Sequence, residues 1–180
     1  LLKNANTAGI LENNTLSMLE GVLNVQEIRV SDVMVPRMQM VTIDYDMDLN
    51  TLLPHVVQSG HSRFPVLGEN KDEVQGIILA KDLLTYSIVS SDKKFDIRDI
   101  LRRVVFIPES KRLNVLLQDF RVNRSHMAMV VDEYGRNTGL VTIEDVLEQI
   151  VGEIADEYDT EDTPAIRDQK DGSYTVRALT

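Results

Sequence analysis

Apolar runs and amphipathic segments alternate along this chain, and the alternation occurs twice in the same order. The first round opens with a β-prone run at 41–43 and continues with residues 49–58, where apolar positions recur with the spacing of a helix face. Two further apolar runs, 64–67 and 74–79, flank a polar turn, and a second amphipathic segment starts near Ala80. The pattern predicts the order strand, helix, strand, strand, helix.

The second round repeats the first at a nearly constant distance. Matching residues lie 64 positions apart early in the repeat and 63 apart later, as in the pairs Leu49 with Leu113, Leu53 with Leu117, Ser62 with Ser125, Gly76 with Gly139 and Asp82 with Asp145. A single deletion in a loop accounts for the change in distance. The second copy predicts strands at 104–107, 127–131 and 138–142, a helix over 113–122 and a last helix from Ile143.

The two copies together predict an α/β fold. A β-α-β-β-α unit leaves one face of its sheet uncovered, so we expect the repeats to pack on each other with pseudo-symmetry. Asp46 or Asp48 is the expected N-cap of the first helix of the first repeat. Apolar positions within 15–23 predict one further helix ahead of the repeats.

The composition changes after the second repeat. An acidic run at 156–162 is followed by Thr163 and Pro164, a combination that is typical of a linker. Residues 166–180 resemble the first strands of a further, truncated domain, so we expect the chain to be a piece of a longer protein. The expected division is a helical lead-in at 1–29, repeats at 30–92 and 93–155, and the linker with the start of the truncated domain at 156–180.

The charge balance narrows the classes of partner. The chain carries 29 acidic and 19 basic residues, for a formal net charge of -10. Such a balance repels the phosphate backbone of nucleic acids and anionic membrane surfaces, so neither is an expected partner. No stretch reaches the roughly 18–20 apolar residues that span a bilayer, which predicts no direct membrane insertion in this segment.

Residue types that carry catalysis or bind metals are sparse. The sequence has no cysteine, and its three histidines lie far apart, so we expect no metal site formed by the protein alone. The methionines clustered at 34, 38 and 40 and at 127 and 129 are expected to fill the core. No nucleophile–base set, carboxylate pair or glycine-rich phosphate loop is recognisable, which predicts that the chain is not an enzyme.

Asp145 and Thr142 form the strongest candidate for ligand chemistry. A carboxylate at the start of a helix can accept hydrogen bonds from the two hydroxyls of a ribose, and Thr142 would bring a hydroxyl to the same sugar or to a phosphate. The alternative is that Asp145 serves only the helix, because acidic residues are favoured at helix N-termini. The first repeat keeps Asp82 but has Leu79 at the position of the hydroxyl.

These residues lie in segments that resemble a known family. Residues 139–145 (GLVTIED) are similar to the signature of CBS domains, the family that the paired repeats also resemble. The segments 31–37 (SDVMVPR), 61–66 (HSRFPV), 80–84 (AKDLL) and 144–153 resemble more specifically the CorC/HlyC group of magnesium and cobalt efflux proteins. The resemblance extends over roughly residues 10–160 and implies a tandem pair of CBS repeats. The end of the chain, within 156–180, looks like the start of the family's transporter-associated domain.

The resemblance also implies an adenine-nucleotide site shared between the repeats. Its expected residues are Thr142 and Asp145 from the second repeat, with Val35, His61, Ser62, Arg63 and Pro65 from the first. Arg63 could hold a phosphate with a forked pair of hydrogen bonds, and the apolar residues could lie against the adenine ring. A weaker second site is expected at Asp82, Ser125 and His126, with residues 124–126 as the equivalents of 61–63.

The implied function is regulatory. We expect a cytoplasmic CBS module that binds ATP as its magnesium complex, or AMP, and thereby regulates magnesium or cobalt efflux. CBS pairs of this family associate through helices, so we expect a homodimer, with a membrane transporter as a further candidate partner. The alternative is a CBS scaffold that binds no ligand and serves only dimerisation.

Overall fold

Two β-sheets, one for each repeat, organise the chain. The computed structural model describes residues 13–70, 73–89, 95–152, 166–168 and 174–176. Its α-helices are α1 (Asn13–Asn24), α2 (Val30–Val33), α3 (Leu49–Ser59), α4 (Ala80–Val89), α5 (Leu113–Asn123) and α6 (Ile143–Val151). Its strands are β1 (Val35–Pro36), β2 (Ile43–Asp44), β3 (Arg63–Leu67), β4 (Val74–Leu79), β5 (Val105–Pro108), β6 (Met127–Val131), β7 (Asn137–Thr142), β8 (Ile166–Asp168) and β9 (Tyr174–Val176).

The sheets have closely related topologies. In the first repeat, β2 runs parallel to β3, and β3 is antiparallel to β4. In the second repeat, β5 runs parallel to β6, and β6 is antiparallel to β7. The central strands β3 and β6 are almost wholly buried, which accounts for their continuous apolar sequences. The predicted α/β fold of two CBS-like repeats with a leading helix is therefore confirmed, and β8 and β9 form a separate antiparallel pair.

Each sheet gains an additional backbone pairing from the other repeat. The residues that pair lie just ahead of that other repeat's own strands in the sequence. The short strand β1 comes before the first repeat's own sheet, yet it pairs with β7, placing Val35 opposite Leu140. In the same way, Arg102 precedes β5 but exchanges backbone hydrogen bonds of 2.8 and 2.9 Å with Ile77 of β4. The two repeats thus exchange segments, which ties them into one structure.

Two equivalent glycines make this exchange possible. A Cβ atom at Gly139 would lie 2.4 Å from the carbonyl oxygen of Val35, and one at Gly76 would lie 2.4 Å from the carbonyl oxygen of Arg102. No side chain fits at either position because the incoming backbone occupies the space. The recurrence of glycine after 63 positions therefore reflects the same close approach in both repeats.

Three apolar clusters hold these elements together. The cluster of the first repeat includes Ile43, Leu52, Phe64, Ile78, Leu83 and the exchanged Ile97. The cluster of the second includes Leu113, Leu116, Val141, Val146 and the exchanged Val25 and Val30. A third cluster draws on both sheets and joins the repeats through Leu67, Ile77, Met127, Met129 and Leu140.

Several element boundaries differ from the sequence predictions. The strand predicted at 41–43 begins only at Ile43, and the one predicted at 104–107 lies one residue later. The strand β1 was not predicted, because two residues carry no periodic signal. Of the two cap candidates, Asp48 is the N-cap of α3, with its carboxylate accepting the N–H groups of Asn50 and Thr51. The predicted acidic linker at 156–162 lies outside the described residues.

The structure corrects the alignment of the repeats around Ser62. The Ser62 carbonyl accepts the N–H of Ala80 at the start of α4, and the His126 carbonyl accepts the N–H of Ile143 at the start of α6. Ser62 is therefore equivalent to His126 rather than to Ser125. The one-residue difference lies in the turn after the central strand, 68–73 in the first repeat against 132–136 in the second.

The same correction changes what the second repeat offers to a ligand. Arg63 faces Leu79 in its strand pair, and Met127 faces Thr142 at the equivalent place. The expected equivalence of residues 124–126 with 61–63 is thus wrong by one position. The second repeat has a methionine where the first has Arg63.

Candidate functional site

A cavity of about 410 Å³ lies where the two repeats meet. The end of β7, the start of α6, the segment after β1 and the start of β3 enclose it. Its lining residues are Val35, Gln39, Met40, Val41, Gly60, His61, Ser62, Arg63, Met127, Leu140, Thr142, Glu144 and Asp145. The cavity therefore contains six of the seven residues expected at the main site, drawn from both repeats.

Thr142 and Asp145 form a capping box at the N-terminus of α6. The Thr142 hydroxyl accepts the N–H of Asp145 at 3.3 Å, and the Thr142 N–H donates to Oδ2 of Asp145 at 2.6 Å. This arrangement fixes both side chains at the edge of the cavity. It also engages Oδ2 of Asp145, whereas Oδ1 accepts no hydrogen bond from the described residues and can therefore accept one from a ligand. The helix-capping alternative and a ligand role are therefore compatible.

The segment from Gly60 to Arg63 supplies the basic side of the cavity. Gly60 ends α3 in a left-handed conformation with φ of 70°, which turns the chain into β3. Nη1 of Arg63 lies 3.9 Å from Oε1 of Glu144, so an ion pair links the first repeat to α6 of the second. The Arg63 side chain is one-quarter exposed and that of Glu144 is 61% exposed. Solvent therefore weakens this pair, and a stronger anion could displace it.

Glu144 is a cavity residue that the sequence interpretation missed. It precedes Asp145 directly, so it lay within the motif but was given no role. Together, Glu144 and Asp145 oppose the single guanidinium of Arg63, and His61 is the remaining ionisable group in the lining. The signal that could have identified Glu144 is its position at the second residue of α6, next to the expected ligand carboxylate.

The apolar wall of the cavity depends on the exchanged strand. Val35 lies opposite Leu140, and Met40, Val41 and Met127 complete the wall. Met40 and Met127 thus contribute to the cavity as well as to the joint cluster of the two sheets. The expectation that the methionines fill the core is wrong for Met38, whose surface is 93% exposed.

Pro65 is the expected residue that does not line the cavity. It lies on β3 between Arg63 and Leu67, opposite Ile77 of β4, and it is buried. Alternate residues of a strand share a face, so Pro65 faces the same side as Leu67, which belongs to the cluster between the sheets. Pro65 therefore faces the contact between the repeats without lining the cavity.

Asp82, the equivalent of Asp145, has a different partner. Nε and Nη2 of Arg102 donate to Oδ2 of Asp82 at 2.8 and 2.6 Å. Asp82 borders a separate cavity of about 520 Å³, lined by Thr85, Tyr86, Asp99, Ile100, Leu101 and Arg102. Ser125 and His126 do not line that cavity, and the Ser125 hydroxyl donates to the Met127 carbonyl at 2.9 Å. The residues expected at the second site are therefore not gathered there.

Two further observations concern membranes and metals. No helix among the described residues has the length and apolar character of a membrane span, and the longest, α1, has 12 residues. Within the same part of the chain, no three histidine or acidic side chains are grouped so that they could hold a metal ion.

Comparison with known proteins identifies the repeats. Residues 30–89 and 97–152 match the family model of the CBS domain. The chain belongs to the CBS-domain family. Residues 1–25 additionally match a model described as the N-terminal region of NMB0537. Together, the two CBS matches include every residue that lines the cavity between the repeats.

Relatives of this CBS pair are named for ion transport. The chain is 47% identical over 180 residues to the magnesium and cobalt efflux protein CorC of Vibrio cholerae, covering 100% of this chain and 62% of the relative. The chain spans about three fifths of the length of the curated relatives it matches.

Two similar solved structures contain nucleotides. The CBS domain of a bacterial CNNM/CorC family Mg²⁺ transporter in complex with ATP has a TM-score of 0.71 and 40% identity, over 77% of this chain and 97% of that one. A CBS-domain pair from Klebsiella pneumoniae with bound AMP has a TM-score of 0.60 and 32% identity, over 69% of this chain and 99% of that one.

Proposed function

We propose that this CBS pair is the adenine-nucleotide-sensing module of a CorC-like magnesium and cobalt efflux protein. The observation that carries the proposal is the cavity between the repeats, where Thr142 and Asp145 lie with His61, Ser62 and Arg63. The ATP and AMP complexes of similar CBS domains support the same ligand class. The proposed role is regulatory rather than catalytic.

The lining suggests one orientation for the nucleotide. Oδ1 of Asp145 and the Thr142 hydroxyl would meet the ribose hydroxyls, because Oδ2 of Asp145 is already engaged by the Thr142 N–H. Arg63, with Ser62 and His61 beside it, would hold the phosphates. The apolar wall around Val35 and Leu140 would cover one face of the adenine ring. Pro65 has no direct contact with the nucleotide in this proposal.

Magnesium enters the proposal together with the nucleotide. A phosphate that reaches Arg63 must displace Glu144 and then lies close to two carboxylates. Mg²⁺ bound to the phosphates would offset this repulsion, and its ligands would be mainly phosphate oxygens and water. AMP carries less charge and needs the metal less. The two candidate ligands, ATP with Mg²⁺ and AMP, therefore differ in their expected dependence on magnesium.

We expect one nucleotide per chain. At the equivalent place around Asp82, Leu79 of the first repeat lacks a hydroxyl and Asp82 itself is paired with Arg102. Met127 of the second repeat stands there in the position that Arg63 has at the main site. Each of these differences removes a group that the proposed nucleotide would use. Asp82 is better suited to holding the exchanged segment than to binding ribose.

Assembly and location are further parts of the proposal. Leu84 of α4 and Leu147 of α6 are 46% and 42% exposed, which leaves apolar surface for a second copy of the chain. A cytoplasmic homodimer that transmits nucleotide binding to ion efflux, in the full protein or through a membrane transporter partner, is consistent with the names of the relatives.

A ligand-free dimerisation scaffold is the second candidate. One observation favours it: Thr142 and Asp145 already form hydrogen bonds with each other in the capping box, which gives both residues a structural role without a ligand. The two candidates are separated by thermal unfolding of the chain with ATP, ADP and AMP, each with and without Mg²⁺. A ligand present at about 100 times its dissociation constant stabilises the folded state by about 2.7 kcal/mol, so a bound nucleotide raises the melting temperature measurably. No change with any nucleotide supports the scaffold.

A further inference from the structure

The apolar wall of the cavity begins with a polar side chain, that of Gln39. Gln39 ends the single 3-10 turn that follows β1, and this turn is closed by the Met40 N–H donating to the Arg37 carbonyl at 3.2 Å. Gln39, Met40 and Val41 then line the cavity in succession. Within the described part of the chain, the Gln39 carboxamide makes no hydrogen bond. It is therefore available to a ligand.

The register of β1 places Gln39 away from the proposed ribose position. Val35 lies opposite Leu140 and Pro36 lies opposite Gly139, so the strand β1 runs along β7 in the direction of the first residues of β7. Thr142 lies in the other direction, at the end of β7. In a nucleotide the ribose lies between the base and the phosphates. With the ribose at Thr142 and the phosphates at Arg63, the base would extend along the apolar wall towards Gln39.

We propose that Gln39 is a specificity-determining residue that recognises the hydrogen-bonding edge of the adenine base. Its carboxamide oxygen accepts from the exocyclic amino group, and its NH₂ group donates to the adjacent ring nitrogen. The inference rests on the proposed function, because it needs a nucleotide in the cavity. The physical reason is that a base in an apolar slot loses the water on its polar edge, and an unpaired edge is costly.

The test compares two ligands on two proteins. MgATP is titrated against the same nucleotide without the exocyclic amino group, magnesium purine riboside triphosphate, using calorimetry. A neutral hydrogen bond changes a dissociation constant by roughly 2–12-fold, so the wild-type chain should prefer MgATP by about that factor. Gln39→Met keeps the length of the side chain but removes both hydrogen bonds, so it should weaken MgATP binding by more than that factor, up to roughly the product of two such factors. It should bind the two ligands equally.

A second variant and a control sharpen the test. Gln39→Glu leaves two acceptors and no donor, so MgATP binding should weaken while MgGTP, whose base edge presents two donors, should gain relative to MgATP. Gln58→Met is the matched control, because Gln58 is an exposed residue of α3 that does not line the cavity. Its nucleotide preferences should equal those of the wild type.

The possible failures are distinguishable. If Gln39→Met keeps the full wild-type preference for MgATP, the assignment of Gln39 is wrong, while the proposed nucleotide function stands. If the wild-type chain binds no nucleotide at all, the proposed function fails and this inference fails with it.

Discussion

Replacing Asp145 probes the cavity where its chemistry is best defined. Oδ2 of Asp145 accepts the Thr142 N–H at 2.6 Å, so the ribose has mainly Oδ1 available. Asp145→Ala should therefore remove one hydrogen bond between the ligand and a charged acceptor. Such a bond is worth about 1.5–3 kcal/mol, which corresponds to a roughly 10–150-fold loss of nucleotide affinity. Thr142→Val loses a neutral hydroxyl and should cost about 1 kcal/mol, or roughly 5-fold.

Asp145→Ala also disrupts the capping box of α6, so its effect on stability must be measured separately from its effect on nucleotide affinity. Asp145→Ala also removes the acceptor of the Thr142 N–H, and loss of a helix cap destabilises a protein by about 1 kcal/mol. Asp48→Ala is the matched control, since it removes the N-cap of α3, whose cap does not line the cavity. It should lower the melting temperature without changing nucleotide affinity.

The assay is calorimetric titration of MgATP and of AMP at a temperature well below every variant's unfolding transition. Asp145→Asn is a useful intermediate, because its one carboxamide oxygen can still accept the Thr142 N–H, while the charge is lost and an NH₂ donor replaces the oxygen on the ligand side. It should therefore keep much of the helix cap and still lose nucleotide affinity. Asp82→Ala should leave affinity close to that of the wild type. If Asp145→Ala binds as the wild type does and Asp82→Ala loses binding, the site has been assigned to the wrong repeat.

Three further predictions follow from other contacts. Gly139→Ala should destabilise the chain by about 1–3 kcal/mol and weaken nucleotide binding, because its Cβ would lie 2.4 Å from the Val35 carbonyl oxygen. Denaturant unfolding measures the loss of stability. The control Gly68→Ala should be nearly neutral, because its Cβ meets only the flexible side chain of Gln75. Arg102→Ala breaks a partly exposed ion pair and should cost at most about 1 kcal/mol with nucleotide affinity unchanged, whereas a large loss of affinity in calorimetry would contradict the proposed role of Asp82. The hydroxyl and then the N–H of Thr51 hold the pKa of Asp48 below its usual value. The contribution of the Asp48 carboxylate to stability is therefore present at neutral pH and is lost as the pH falls through that lowered pKa. Asp48→Asn should reduce this acid-dependent loss of stability in thermal unfolding, and a pH profile equal to that of the wild type would contradict the assignment.

The local pattern of the sequence predicted most of the elements, for physical reasons. Strands such as β4 and β6 are short apolar runs bounded by turns, and the helices show clear apolar spacing. Glycine and aspartate recur because a close backbone approach and a helix N-terminus demand them. The exchange of segments could not be predicted, since the two residues of β1 do not encode which sheet they join.

The candidate site was predicted in part. Thr142, Asp145 and the residues from His61 to Arg63 lie together, as the family resemblance implied. Matching Ser62 with Ser125 by residue type gave an alignment that was wrong by one position, because backbone hydrogen bonds define the equivalence. The pairing of Arg102 with Asp82 joins positions 20 apart, and such contacts become visible only when the exchanged segment is in place.

The most direct test of the central claim is a crystal structure of this chain with MgATP. We predict one nucleotide per chain in the cavity between the repeats, with its ribose at Thr142 and Asp145 and its phosphates at Arg63. A nucleotide bound beside Asp82 instead, or a cavity that stays empty at saturating MgATP, would contradict the account.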